Sequence, residues 1–219
     1  MKCYDIRSRE VRNELIDHER AKLYIRIYRA NEGTEFFVSV EIPRSDDFND
    51  TSLLGLCRLR IPDYEFSEKE EIPFHYLPVF RKKERIARIR ELHVYGNIVS
   101  STSQGNPNSQ HRGIGKFLIG VAESISHFYQ CSLVTIISGV GVRDYYENIG
   151  YTLDENEDQY MIKQLEEKVD LVLFGKSYDK NQIHKIVGGS IISQRYIKNT
   201  EDLDCAQVHY FGDAQGFCL

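Results

Sequence analysis

With 219 residues, 41% of them hydrophobic, and 14 tyrosines, the chain has ample material for a packed core of one large domain, which argues against disorder. A net charge of −5 excludes a protein that coats nucleic acid with a uniformly basic surface. The five cysteines (Cys3, Cys57, Cys131, Cys205, Cys218) include no CxxC pair, which excludes a zinc knuckle or dithiol redox motif, and no apolar run is long enough to span a bilayer.

The first twenty residues are rich in Arg and Glu, with Val11, Leu15 and Ile16 at rough helical spacing, and read as a helical or linker segment over 1–22. The period then changes. Leu23–Arg29 and Glu35–Glu41 are β-branched and aromatic runs separated by Asn31-Glu32-Gly33, a hairpin signal. After the break at Pro43 and Ser45–Asp50, a third strand is predicted over Leu54–Ile61. Three prolines and many charges make 62–84 a long loop. A fourth strand runs through Ile86–Gly96, with Ile86, Ile89, Leu92 and Val94 as its apolar positions, and Ser100–Ser109 is a polar loop.

Gly113–Gln130 is the clearest helix. Ile114, Phe117, Leu118, Val121, Ala122, Ile125 and Phe128 fall at i, i+3, i+4, i+7, i+8, i+11 and i+14. Leu133–Ser138 is a short apolar strand, and a second helix over Val142–Asn148 ends at Gly150, placed for a left-handed cap. A hairpin of Tyr151–Leu153 and Gln159–Lys163 closes this part around an acidic turn. In the remaining segment, 165–219, Val169–Phe174 and Ser190–Ile197 read as strands. Cys57 and Cys131 lie in apolar stretches and read as buried thiols, which fits a reducing, cytoplasmic setting. The order of elements predicts an α+β fold, a sheet whose second half is interrupted by helices.

Chemistry concentrates at Gln110-His111-Arg112-Gly113-Ile114-Gly115, between a loop and the amphipathic helix. Glycines let the backbone approach an anion, and the first-turn N–H groups, which lack intrahelical partners, favour a pyrophosphate. Arg112 adds a positive charge. A dinucleotide fold or a plainly capped helix would use the same residues. The preceding strands form meander hairpins rather than βαβ units, however, and the Lys-Ser/Thr pair of a Walker loop is missing.

The Q-x-x-G-x-G turn, then strand, short helix and Tyr145-Tyr146-x-x-x-Gly150-Tyr151, resembles the coenzyme-A-binding half of the GNAT acetyltransferase superfamily. More narrowly, Arg90-Glu91-Leu92-His93-Val94-Tyr95-Gly96, Gln110-His111, Ile137–Gly141 and Tyr145-Tyr146 resemble the lysine-acetyltransferase-like domain of the Elongator catalytic-subunit family. Ile6–Val11 and Leu54–Arg60 resemble that family's linker and early strands. The likeness covers roughly residues 3–164. Two departures stand out. The CxxxCxxC ligands of the family's radical-SAM domain are absent and its linker cysteines are reduced to Cys3, so no metal is expected. Asn108-Ser109 also replaces the usual basic-aromatic pair.

The resemblance implies a GNAT-type mixed, mostly antiparallel sheet flanked by helices over 23–164, with 165–219 as a C-terminal extension. It also implies how acetyl-CoA would sit as co-substrate. The Glu91–Val94 strand would bond the pantetheine arm through its backbone, His93 being a cofactor-side contact or a strand residue with its own partners. Gln110, His111, Arg112, Gly113, Ile114, Gly115, Lys116 and Phe117 would receive the pyrophosphate, and Tyr146 would lie near the thioester sulfur. A phenol can protonate the departing thiolate, and the Val94 N–H can serve as oxyanion donor.

Tyr145 and Tyr146 point about 100° apart on a helix, so core packing explains one of them, and Tyr146 is the choice for the site. Glu91 is a candidate general base through water; pairing with Arg90 or Arg88 is the alternative. The run Arg81–Arg90 and the N-terminal arginines (Arg7, Arg9, Arg12, Arg20, Arg26, Arg29) could contact tRNA, or form ordinary surface ion pairs. The expected activity is therefore use or hydrolysis of acetyl-CoA in connection with tRNA wobble-uridine modification, with a radical-SAM or complex partner. Two other readings stay open: a stand-alone protein or small-amine N-acetyltransferase, and a non-catalytic CoA- or tRNA-binding module.

Overall fold

The computed structural model describes residues 5–11, 17–30, 33–47, 50–62, 85–95, 113–155, 159–165, 171–173, 176–178, 181, 183–184 and 207–211. A short helix α1 (Ile6–Arg9) is capped by Asp5, whose carboxylate accepts from the Ser8 amide at 2.8 Å. It is followed by strands β1 (Lys22–Arg29), β2 (Gly33–Pro43), β3 (Thr51–Pro62) and β4 (Ile86–Val94). Then come helix α2 (Ile114–Phe128), β5 (Leu133–Ile137), a 3-10 turn at Val140–Val142, helix α3 (Arg143–Glu147), β6 (Thr152–Leu153) and β7 (Tyr160–Gln164). The tail adds β8 (Leu171–Leu173), β9 (Lys176–Tyr178) and β10 (Gln207–Phe211).

Among the described residues, eight strands form one sheet in the order β10-β1-β2-β3-β4-β5-β7-β6, and β8 and β9 make a separate hairpin. Neighbours in the large sheet are antiparallel except β4 and β5, which run parallel. The first hairpin closes as its sequence signal demands: Ala30 and Gly33 exchange both backbone hydrogen bonds, at 3.0 and 3.1 Å. This is the expected α+β, mostly antiparallel GNAT-type architecture.

One face of the sheet is covered by α2. Its apolar stripe, Ile114, Phe117, Leu118, Val121, Ala122 and Ile125, meets Leu23, Ile25 and Ile27 of β1, Phe36, Val38 and Val40 of β2, and Cys57 and Leu59 of β3 in one core. Full burial of each large member contributes about 1.5–3 kcal/mol. The 3.6-residue period of α2 and the alternation of β1 and β2 thus point at each other, which fixes both register and helix rotation. On the opposite face a smaller cluster gathers Phe37, Leu53 and Leu56 with Ile6, Tyr28 and Tyr95.

Strand β4 departs from simple alternation. Arg58 pairs with Glu91 and Leu59 with Ile89, so Arg90 is an extra residue bulged from the ladder. The bulge explains why the apolar positions Ile89 and Leu92, three apart, share the α2 core, whereas Ile86 joins Leu133 in a different cluster. The tail also differs from expectation. β8 lies inside the predicted Val169–Phe174 strand, Ser190–Ile197 lies outside the described residues, and β9 and β10 are additional. Leu171, Leu173 and Ile183 join the main core, and the His184 ring nitrogen lies 3.0 Å from the Ser124 carbonyl on α2. The loops 63–84 and 100–109 lie outside the described residues.

Candidate active site

The site begins where β4 changes partners. Ile86 to Ile89 pair with Leu133 to Ile136 of β5, and pairing stops there. Strand β5 continues along β7 as far as Ile137 opposite Tyr160. Strand β4 continues along β3 as far as Val94 opposite Gly55, with the Tyr95 amide on the Leu54 carbonyl at 2.9 Å. The two parallel strands therefore part after the bulge at Arg90. In an antiparallel ladder successive residues bond to alternate sides. Tyr95 and His93 face β3, so Leu92 and Val94 turn their N–H and C=O groups toward the side that β5 has left.

Beside this released edge stands the head of α2. Gly113 takes a left-handed conformation, φ 95°, and caps the helix without a side-chain bond, a conformation that costs glycine least. Its carbonyl accepts from the Phe117 amide at 2.8 Å, so the amides of Ile114, Gly115 and Lys116 have no acceptor within the helix and face its open end. Two close approaches seat the helix there. A Cβ on Gly55 would lie 3.0 Å from both the His93 carbonyl and an Ile114 methyl. A Cβ on Gly115 would lie 3.5 Å from a Val94 methyl and 2.7 Å from the Tyr145 hydroxyl. Small residues thus bring helix amides and strand edge together, and the pair can grip an oxygen-rich, extended ligand.

The side chains named from the sequence distribute as follows. Ile114 and Phe117 point into the core, so their backbones alone face the helix end. Lys116 is exposed, and Gln110, His111 and Arg112 lie outside the described residues. Leu92 and Val94 pack against the α2 core. Glu91 and His93 alternate to the other face, where the Glu91 carboxylate accepts from Arg58 at 3.4 Å and the His93 ring lies 4.4 Å from that of Tyr95. The partner of Glu91 is thus on β3.

Tyr146 is 7% exposed, its ring set between Tyr145 (5.3 Å) and Tyr151 (6.1 Å). Burial raises its hydroxyl above the ordinary phenol range, with the nearby Cys57 adding to the effect. Tyr145 is 40% exposed, and burial of its hydroxyl, followed by Tyr146 and Cys57, pushes that phenol up to about 12. Tyr151 is held by Glu123, whose carboxylate accepts from the Tyr151 hydroxyl at 2.9 Å and from Lys163 at 3.0 Å. The turn beyond α3 closes with the Tyr151 amide on the Tyr146 carbonyl at 3.1 Å across Gly150, φ 90°. Sequence reasoning passed over the bulge, for which the three-residue step from Ile89 to Leu92 was the available sign.

Most of the described arginines of the two basic runs are engaged within the fold. Arg85 donates to the Tyr129 carbonyl at 2.8 Å, Arg88 lies over the Tyr160 ring, and Arg90 donates to Glu35 at 2.8 Å. Arg9 and Arg26 both bind Glu41, Arg20 the Pro43 carbonyl and Arg29 the Thr34 hydroxyl. Arg7 is exposed, while Arg12 and 81–84 lie outside the described residues. Among the described residues no His/Cys/Asp/Glu group could hold a metal, and no helix is long and apolar enough to cross a membrane.

No family model matches the chain. Elongator complex protein 3 of Schizosaccharomyces pombe is 41% identical over 169 residues, which cover 75% of this chain and 28% of that protein. The human protein of the same name is 37% identical over 170 residues, again 75% of this chain and 28% of the relative. The chain thus spans about a quarter of the length of the curated relatives it matches. Among solved structures, archaeal Methanocaldococcus infernus Elp3 with an N-terminal deletion superposes with a TM-score of 0.53 at 32% identity, over 75% of this chain and 36% of that one. Over three quarters of its length the chain is therefore similar in sequence to Elongator complex protein 3, and over that same extent it shares its mixed α+β fold with the archaeal Elp3.

Proposed function

We propose that the domain binds acetyl-CoA between the head of α2 and the released edge of β4, and transfers or hydrolyses its acetyl group in connection with tRNA wobble-uridine modification. The observation that carries this reading is the parting of β4 from β5 beside outward-facing helix amides. An extended pantetheine arm can take the place of the missing strand along Glu91–Val94, while the pyrophosphate meets the amides of Ile114, Gly115 and Lys116, with Gln110, His111, Arg112 and the Lys116 ammonium adding polar and positive contacts.

In the reaction read from this arrangement, the Val94 N–H polarises the thioester carbonyl. The acceptor, an amine or water, loses a proton to Glu91 through a bridging water and attacks the carbonyl carbon. The carbon–sulfur bond breaks, and the departing thiolate takes its proton from Tyr146. A phenol held above its ordinary range stays protonated at neutral pH, as a general acid must. Glu91 stands on the face away from α2, which supports an acceptor arriving opposite the coenzyme. Contact with tRNA would use Arg81, Lys82 and Lys83 at the start of the Arg81–Arg90 run together with Arg7, since Arg85 and Arg90 bind Tyr129 and Glu35, and a radical-SAM domain or complex partner would complete the modification.

The test is release of free thiol from acetyl-CoA by the purified chain, with and without tRNA. Stimulation by tRNA supports the tRNA-linked reading; turnover only with a peptide or small amine would replace it by a stand-alone N-acetyltransferase. Binding of coenzyme A with no turnover, unchanged in Tyr146→Phe, would reduce the domain to a binding module.

A further inference from the structure

Helix α3 is five residues long and buries only Tyr146, and the turn leading into it leaves Val140 77% and Val142 49% exposed. So short a helix has little stability of its own, and its place in the fold depends on what holds its ends. Its entry is open to water. Its exit is tied down by a polar network beside the core. Lys163 of β7 donates to both carboxylate oxygens of Glu123 on α2 and to the Ile149 carbonyl, each at 3.0 Å, which uses all three hydrogens of its ammonium. The Glu123 carboxylate also accepts from the Tyr151 hydroxyl at 2.9 Å. Burial, then Glu123, holds that phenol well above its ordinary range, so it remains the donor. From Ile149 and Tyr151 the link returns to α3, because both their amides bond the Tyr146 carbonyl at 3.1 Å. The buried Tyr151 ring also meets the Tyr146 ring edge-on, at 6.1 Å.

We propose that Glu123 is a positioning residue: clamped by Lys163 and Tyr151, it fixes the end of α3 and so sets where the Tyr146 hydroxyl stands. This rests on the reading of Tyr146 as the acid that protonates the departing thiolate, and adds the buried carboxylate that aims it. Glu123 acts at a distance, since eight residues of helix put it about 12 Å along the axis from Gly115 at the α2 head. A carboxylate and an ammonium set inside the fold are a poor device for stability alone, because apolar side chains of the same volume serve as well or better. What the network supplies and apolar packing does not is direction. A general acid must lie within hydrogen-bond reach of the atom it protonates, and each donor here is aimed at a fixed acceptor.

Thiol release from saturating acetyl-CoA by the full chain, with unfractionated tRNA present, tests this beside calorimetric titration with coenzyme A. Lys163→Met alone strands the Glu123 carboxylate and threatens the fold, so the main variant is the neutral pair Glu123→Gln with Lys163→Met. It should slow thiol release about tenfold, the effect of a misaimed catalytic group, and change coenzyme A affinity less than about twofold. In a Tyr146→Phe background the same pair should cost less than about twofold, since no acid is left to aim. Hydrogen exchange of the Ile149 and Tyr151 amides should quicken in the neutral pair while the β2 amides keep their protection. Equal slowing in both backgrounds overturns the positioning role, as does unchanged thiol release or unchanged exchange of those two amides. Full thiol release by Tyr146→Phe alone, or none by the wild-type chain, overturns the general-acid reading itself and the aim of the network with it.

Discussion

The two faces of the central sheet are held by different physics. Under α2 the contacts are mainly apolar: Leu23, Ile25, Phe36, Val38, Leu59, Ile89 and the helix stripe, with Cys57 entirely buried and its thiol raised well above the ordinary range chiefly by that burial, and with one part-buried ion pair, Glu123 with Lys163. On the other face charged pairs take the place of a helix. Glu41, fully buried, accepts from Arg9, Arg26, Ser39 and Thr51, and Glu35 accepts from Arg60 and Arg90 at 3.0 and 2.8 Å. Arg58 and Glu91 are the most exposed of these pairs, at 34% and 41%. The apolar face fixes where α2 sits, while the charged face ties separate chain segments together, Arg9 bringing α1 onto the sheet. The bulge at Arg90 lets β4 serve both, placing Leu92 and Val94 on the first and Glu91 and His93 on the second.

The largest effect expected on this contrast is from Glu41→Ala, which strands two guanidinium groups below the surface and should lower unfolding free energy by about 3–5 kcal/mol in urea titrations. Burial by itself would raise the Glu41 carboxyl, but Arg26, Arg9 and Ser39 together outweigh it and hold the group below its ordinary value. Its folded pKa therefore lies below its unfolded one. The stability it contributes is fully present above the unfolded value, near 4.5, and is lost as pH falls through the folded one. Glu41→Ala should accordingly flatten the acid limb of the stability curve, and an unchanged acid limb would remove Glu41 from this role. Leu118→Ala, on the apolar face, is expected to cost slightly less, about 2–4 kcal/mol, with no change in the acid limb. If both variants lost stability with the same pH dependence, the distinction between the faces would fail.

The same contrast shows what could be read in the sequence. The α2 face was legible because its signals are local and redundant: a 3.6-residue stripe from Ile114 to Phe128 and alternating strands at Leu23–Arg29 and Glu35–Glu41. The glycines of the α2 head were read from the sequence as room for an anion, and the structure adds to that a left-handed cap at Gly113 and close packing at Gly115. The charged face was not, because Arg9, Arg26 and Glu41 are brought together by pairing between segments, and an arginine bound inside reads in sequence like one at the surface. The basic runs were read as a possible tRNA surface for that reason, yet Arg9, Arg26, Arg85 and Arg90 have internal partners. Strand β10 was missed because Gln207–Phe211 earns its place only by pairing with the edge of β1.

The smallest stability change is expected at Glu91, and there the comparison touches function. Its ion pair with Arg58 is long, 3.4 Å, and both side chains are substantially wet, so solvent screening limits what the pair adds to stability. Glu91→Gln should move the unfolding free energy by less than about 1 kcal/mol. Thiol release from acetyl-CoA should nevertheless fall by about 100-fold, with coenzyme A affinity unchanged, if the carboxylate draws a proton from the acceptor through water. Arg58→Ala separates the two roles further. It removes the ion-pair partner but keeps the carboxylate, so turnover should persist. Equal loss of turnover in Glu91→Gln and Arg58→Ala would mean that the pair acts by holding β3 to β4 beside the released edge, and the proton acceptor would have to be sought elsewhere in the cleft.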